Sequence, residues 1–311
     1  MNRLYSFVLP AYKASFFKEA IDSILSQSYT NFELIIVNDA SPEDLSSILK
    51  LYDDARIRYY VNKENIGGKD LVAQWNHSIS YAKGEYLILA SDDDIYHPTF
   101  LEKMDSLVEK YPDVNLFRPR TQRIDAANHI IHVDGIMSEL TSPAEYAYCM
   151  GVVGKGIPFY VFKTQRLREI GGFVSYPLAW YSDDATVLMM ADKGCAFLNE
   201  ILFSFRLSEQ NISSKQNNYF LLKSKIKATC SFYQDLPSIL NTLAEWNKID
   251  SWYKHAVGNN IMNAKRFMIR CEIEKSSKIA ILRSLLDVIR LKVFSYKMLL
   301  RLYVRCLLST E

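Results

Sequence analysis

Residues 84–98 read Gly84-Glu85-Tyr86-Leu87-Ile88-Leu89-Ala90-Ser91-Asp92-Asp93-Asp94-Ile95-Tyr96-His97-Pro98. Tyr86 to Ala90 is an uncharged apolar run with the length of a fully buried strand. It leads directly into three adjacent aspartates. Neighbouring carboxylates repel one another and make poor strand or core residues. At the end of a buried strand they call for a cation. Oxygen-only ligands suit hard divalent ions such as Mg2+ or Mn2+, which commonly also hold phosphate. Open α/β sheets bind ligands outside the carboxyl ends of their strands. Two readings are open on this stretch alone: a metal–diphosphate site, or a solvated acidic loop capping a helix that starts near Pro98.

Toward the N-terminus, Leu4 to Leu9 reads as a first strand, broken by Pro10-Ala11-Tyr12. It is too short for a signal peptide and lacks a cleavage-type region. Phe16 to Gln27 has the spacing of a helix, with Ser15 as a candidate cap. Phe32 to Val37 is a second buried strand ending at Asn38-Asp39. Ser41-Pro42-Glu43 has the form of a helix start. Ile57 to Val61 is a third strand, Asn65-Ile66-Gly67-Gly68 a turn, and Leu71 to Ala82 a helix. Strands alternating with helices predict parallel βαβ units and an open, doubly wound sheet.

Toward the C-terminus, Phe100 to Glu109 predicts a helix and residues 112–118 a return to the sheet. Residues 118–156 are less regular, with a hairpin at Ile130 to Val133 and a short helix from Pro143 to Met150. Pro158 to Phe162 reads as a strand. A helix from Thr164 stops at Gly171-Gly172. Ser182-Asp183-Asp184 precedes a predicted helix over Ala185 to Ala191, where the two carboxylates serve either as ordinary caps or in catalysis. Phe197 to Phe205 is a strand, followed by Arg206.

The 311 residues are 49% hydrophobic and 23% charged, a globular composition. A net charge of +2 gives no case for nucleic acid as a partner. Five scattered cysteines, without a C-x-x-C pair, argue against a disulfide framework or structural zinc and fit a reducing, cytoplasmic setting. No stretch reaches the ~20 apolar residues of a membrane span. From Tyr219 the pattern becomes helical. Lys275 to Leu308 interleaves Lys278, Arg283, Arg290, Lys292, Lys297, Arg301 and Arg305 with apolar residues, and Asp287 is the only acid there. Two readings stand: basic amphipathic helices on the anionic inner face of a plasma membrane, or helices packed on the main domain with the basic face in water.

Several motifs occur together and in order. They are Tyr5-Ser6-Phe7-Val8-Leu9-Pro10-Ala11-Tyr12, Ile24 to Tyr29, Phe32 to Ser41, Asn65-Ile66-Gly67 and Trp75 to Tyr86. Ser91 to Asp94, Gly171-Gly172-Phe173 and Ser182-Asp183-Asp184 complete the series. Over residues 4–214 the chain resembles the family 2 glycosyltransferases, inverting enzymes of the GT-A fold. The resemblance implies a Rossmann-like, mostly parallel open α/β sheet flanked by helices, with a helical C-terminal extension. It implies a glycosyltransferase domain over 1–215, divided into a nucleotide-sugar half (1–98) and an acceptor half (99–215), and an extension over 216–311.

By the same resemblance, Pro10, Ala11, Tyr12 and Asp39 hold the nucleoside, usually uridine. Without it, a surface aromatic and a helix cap are the plainer readings of Tyr12 and Asp39. Asn65, Gly67, Asn76, Asp92 and Arg206 join the nucleotide-sugar site. Asp93 is the main ligand of a divalent metal, Mn2+ or Mg2+, with Asp94 beside it. Ser91 stands at the family's first acidic position, which leaves the separate roles of Asp92 and Asp94 open. Asp184 matches the base that takes the acceptor's proton. Arg206 matches an arginine of a motif whose histidine is Ser208 here. The implied partners are a nucleotide-sugar donor and a saccharide or lipid-linked acceptor, in bacterial surface polysaccharide synthesis such as capsule, O-antigen or lipopolysaccharide. A homodimer is compatible with this. The competing readings are an inactive nucleotide-sugar-binding protein of the same fold, and a nucleotidyltransferase. The latter is disfavoured because Pro10-Ala11-Tyr12-Lys13-Ala14 lacks glycine.

Overall fold

The computed structural model describes residues 2–149, 156–207, 218–243, 246–292 and 294–308. The first apolar run forms β1 (Tyr5–Ala11), joined through α1 (Phe17–Leu25) to β2 (Phe32–Asn38). Next come α2 (Leu45–Leu49), β3 (Ile57–Val61), α3 (Leu71–Ile79) and β4 (Tyr86–Leu89). β1 pairs in parallel with both β2 and β4, and β2 with β3. β2 and β4 are buried along their whole length, as expected of strands covered on both faces. Close approach at the start of β4 requires a glycine. A Cβ at Gly84 would lie 2.7 Å from the Ser6 backbone nitrogen.

The aspartate stretch leads to the short β5 (Ile95–Tyr96) and α4 (Phe100–Lys110). Then come β6 (Leu116–Ile124), β7 (Ile130–Val133), β8 (Leu140–Thr141) and α5 (Pro143–Cys149). β9 (Val161–Lys163), α6 (Thr164–Glu169), α7 (Ser182–Met190) and β10 (Cys195–Arg206) complete the sheet region. The strand order is β3-β2-β1-β4-β9-β6-β10-β5, with β7 on β6 and β8 on β10. β9 runs antiparallel between β4 and β6, so the direction of β4 is restored in β6 and in its parallel partner β10. The carboxyl ends of β1, β2, β4, β6 and β10 therefore share one edge.

Four helices follow: α8 (Tyr219–Asn241), α9 (Ser251–Glu274), α10 (Lys278–Arg290) and α11 (Tyr296–Leu308). The main core runs from the sheet into α8 and α9 through Phe232, Leu236, Ile239, Val257 and Ile261. A second cluster joins α8 and α9 to α10 and α11 through Leu222, Ile226, Ile273, Ile281 and Leu302. The expected boundary at 215/216, Ser208 and residues 150–155 lie outside the described residues.

Local details differ from the sequence reading. Phe16, not Ser15, holds the cap position of α1, without a side-chain bond. α2 starts after Ser41-Pro42-Glu43, because the Asp44 side chain accepts from Ser47 N–H and caps it there. The strand expected from Pro158 is only Val161–Lys163. α7 begins at Ser182, so Asp183 and Asp184 lie within its first turn.

Candidate active site

The site is built at the shared carboxyl edge. The Asp39 carboxylate accepts from Asn62 Nδ2 (2.7 Å), Ile66 N–H (2.9 Å) and Gly67 N–H (2.7 Å). Three of its roughly four acceptor positions are thus used to fix the turn after β3, which leaves one for a ligand donor. Asn65 Oδ1 accepts from Gly68 N–H and closes the same turn. Tyr12 is 41% exposed, and Ser41 Oγ donates to the Tyr12 carbonyl at 2.6 Å.

The three aspartates have three different surroundings. Asp92 Oδ2 accepts from Tyr12 N–H (2.9 Å) and Lys13 N–H (2.8 Å), fastening the Pro10-Ala11-Tyr12 turn to the end of β4. Asp93 accepts from Ser91 Oγ and from Lys13 Nζ at 2.9 Å. Lys13 Nζ is also 3.6 Å from Asp92 Oδ1. Asp94 is 1% exposed. Its Oδ1 accepts from Arg206 N–H at 2.8 Å, and its Oδ2 is buried without a partner. Burial, and then the charge on Asp93, push the Asp94 carboxyl well above the usual carboxylate range. Burial raises Asp92 as well, against the pull of Lys13. Burial would lower the Lys13 ammonium, but Asp92 and Asp93 outweigh it and hold it above its ordinary value.

No group of three His, Cys, Asp or Glu side chains able to hold a metal ion occurs among the described residues. Mg2+ is characteristically held by one or two carboxylates and completed by substrate phosphates. Asp93 and Asp94 fit that partial donor set, and the orphaned Asp94 oxygen is the observation that favours a cation there.

Arg206 has a position that a diphosphate ligand does not share. It is 0% exposed, and its ion pair is with the partly exposed Glu19 of α1. Nε donates to the Asp93 carbonyl (2.7 Å), Nη1 to Asn128 Oδ1 (2.6 Å) and Nη2 to Glu19 Oε2 (2.6 Å). The guanidinium also lies 4.1 Å from the Phe16 ring centroid. It supports the aspartate loop from behind. Asn76 is likewise turned to the protein. Its amide brackets the Phe173 backbone, accepting from N–H at 2.8 Å and donating to C=O at 2.9 Å.

That contact ties α3 to the loop leading to Asp184. Gly172 has φ +88°, and a Cβ there would fall 2.5 Å from Asn76 Oδ1, so glycine is needed. Ser175 Oγ reaches Asp70 Oδ2, at the start of α3, at 3.4 Å. Ser182 Oγ accepts from Tyr176 N–H at 3.1 Å. Between them Leu178 (φ 62°), Ala179 (φ 55°) and Tyr181 (φ 71°) are left-handed. Each such non-glycine residue costs of order 1–3 kcal/mol, and strain of this kind gathers at functional sites. Asp183 Oδ1 accepts from Asp184 N–H at 2.9 Å within the first turn of α7. Asp184 is buried beside it.

Lys13, Glu19, Asn62 and Phe173 are partners that the sequence reading misses. Lys13 carried a local signal, as a cation directly after the Pro10-Ala11-Tyr12 turn, and Phe173 lies in the Gly171-Gly172-Phe173 motif.

Comparison with known proteins bears on the family and the fold. The family described as glycosyl transferase family 2 matches residues 6–185. The putative glycosyltransferase EpsE of Bacillus subtilis is 43% identical over 96 residues, 30% of this chain and 34% of its own. The first curated relatives are matched over about a third of their length or less. Staphylococcus aureus TarS 1–349, solved with UDP-GlcNAc, superposes with a TM-score of 0.59 at 13% identity, over 97% of this chain and 90% of that one. The mannosyltransferase PcManGT of Pyrobaculum calidifontis, solved with GDP-Man and Mn2+, gives 0.53 at 15% identity, over 99% and 88%. At these identities the two structures speak for the fold alone. The family match covers more than half of the chain and displaces the nucleotidyltransferase reading: this chain belongs to glycosyl transferase family 2, with the GT-A fold.

Proposed function

We propose that the protein transfers a sugar, with inversion, from a nucleotide-sugar to an acceptor hydroxyl, with Asp184 as the base. The observation that carries this is one continuous structure at the carboxyl edge. The turn held by Asp39 is tied on one side, through the Pro10-Ala11-Tyr12 turn, to the Asp92–Asp94 loop, and on the other, through α3, to the loop that leads to Asp184. The remaining acceptor position of Asp39 suits the imino N–H of uracil, which makes a UDP-sugar the favoured donor. Asp93 and Asp94 would hold a divalent metal, which when bound supplies charge neutralisation to the diphosphate leaving group. Asp184 takes the acceptor proton from the opposite face of the sugar.

The acceptor side of this reading is a growing bacterial surface polysaccharide, made at the cytoplasmic face of the membrane. No helix among the described residues is long and apolar enough to cross a membrane. α10, however, exposes Ile279, Leu282 and Leu286, and α11 exposes Tyr296, Leu300, Val304 and Leu308. Arg283, Arg290, Lys297, Arg301 and Arg305 are exposed on the same two helices. Apolar residues bordered by cations suit an anionic lipid surface.

The first test is a thermal-shift screen of UDP-, GDP-, dTDP- and CMP-sugars, each with Mn2+ and with EDTA. A ligand of the native state raises Tm by mass action. A metal-dependent rise with UDP-sugars, followed by product formation, is the expected result. Binding without turnover for any acceptor would favour the inactive reading. For the lipid surface, Leu282→Gln/Leu286→Gln should lose sedimentation with phosphatidylglycerol vesicles. Dimer formation through this face, without vesicle binding, would overturn the membrane contact.

A further inference from the structure

We infer that the C-terminal helix α8 is a clamp on the Asp184 loop, and that Phe232, Tyr233 and Asp235 are positioning residues for the base. The inference rests on the reading of Asp184 given above. The loop Tyr176–Tyr181 has three left-handed non-glycine residues, and α8 engages it at both ends. At one end the Tyr176 hydroxyl donates to Asp235 Oδ2 at 2.9 Å. At the other, the Tyr181 ring stacks on Phe232 with centroids 4.8 Å apart and planes 9° from parallel. Phe232 also meets the Tyr176 ring edge-on at 6.2 Å, so one phenylalanine touches both ends of the loop. Tyr233 packs edge-on against Tyr181 at 5.9 Å.

The clamp is itself braced. Tyr233 donates from its hydroxyl to the Ile261 carbonyl of α9 at 3.1 Å, and Lys265 Nζ lies 3.9 Å from its ring centroid. Lys225 of α8 pairs with Glu272 of α9 inside the protein, and its ammonium lies 4.4 Å from the Trp180 ring centroid. Burial first, then Tyr181 and Asp184, push the Tyr233 phenol upward. Left-handed residues persist where surrounding structure over-determines them. Here much of that structure is supplied by helices outside the family match at residues 6–185. The helical extension is thus part of the acceptor-side apparatus.

The test uses the full chain with Phe232→Ala, Phe232→Tyr and Tyr176→Phe. Hydrogen exchange is followed at the amides of residues 176–186, and UDP affinity is measured with Mn2+. Phe232→Ala should speed exchange of the loop amides at least tenfold while β1–β4 amides keep their protection. It should lower kcat about tenfold or more with UDP affinity within about twofold, and Phe232→Tyr should restore both. Tyr176→Phe, which removes one hydroxyl only, should give the same pattern more weakly and serves if Phe232→Ala does not fold. Faster exchange confined to α8, or UDP affinity falling in step with kcat, would overturn the clamp. If Asp184→Asn turned over normally while loop protection still depended on Phe232, the base assignment would fail and the clamp would stand as a loop restraint.

Discussion

Asn76 and Phe173 exchange two hydrogen bonds, the asparagine amide accepting from the Phe173 N–H and donating to its carbonyl. These residues are 97 positions apart. The pair holds the approach to Asp184 against α3. In Asn76→Ala both backbone groups lose their partner in a partly buried setting. The expected cost is about 1–3 kcal/mol. Denaturant unfolding should show it as a lower midpoint with an unchanged slope. An unaltered midpoint would mean that water replaces the amide at no cost.

Asp183 and Asp184 are neighbours in one helical turn with separate duties. Asp183 accepts from the Asp184 N–H within the first turn, so Asp183→Ala, which removes that acceptor, should mainly cost stability, about 1 kcal/mol. Asp184→Asn should lower transfer by roughly 10²–10⁴, the usual reach of general-base catalysis. UDP affinity should remain within about twofold. Turnover near the wild-type rate would end the base assignment.

Asp92 and Asp93 should separate by metal dependence. Asp92 holds two N–H groups of the Pro10-Ala11-Tyr12 turn. Asp92→Ala should therefore weaken UDP binding about tenfold, about 1.4 kcal/mol, in Mn2+ and in EDTA alike. Asp93→Ala should remove only the Mn2+-dependent part, because its bonds run to the side chains of Lys13 and Ser91 and not to the backbone of the turn. Titration calorimetry under both conditions distinguishes them, and identical losses in EDTA would refute the division.

Glu33 links β2 to its neighbours and sets an acid limit. Burial alone would raise its carboxyl. Bonds from Ser6 Oγ (2.7 Å), Lys83 N–H (2.7 Å) and Arg58 Nη1 (2.6 Å) outweigh burial and hold it below the ordinary value. A depressed folded value means that the contribution is complete above the unfolded value of about 4.3 and is lost as pH falls through the folded one. Glu33→Gln should be less stable at neutral pH and show a shallower loss of stability below about pH 4.3. Parallel pH–stability curves for the two proteins would rule this out.

The sheet was legible because its signals are local. Tyr86 to Leu89 and Leu34 to Val37 are short apolar runs with the length of strands covered on both faces, and the turns between them carry Pro, Gly, Asn and Asp. The ordered motifs pointed to the family for the same reason, since each is a short contiguous piece. The cap of α2 was misplaced because Ser41 and Asp44 are both good caps, and only the path of the loop chooses between them.

The amino-acid sequence by itself determined which segments become strands and helices and which carboxylates gather at the end of β4. Tertiary structure alone decided what those side chains face. Arg206 lies 112 residues from Asp94, yet its backbone binds that carboxylate and its guanidinium is enclosed behind the loop. Asn76 binds Phe173, Lys13 reaches Asp93, and Phe232 stacks on Tyr181. Hydrophobic period and turn chemistry are written within a few residues of one another. The pairing of polar groups across a sheet edge depends on distances that exist only once the chain has closed on itself.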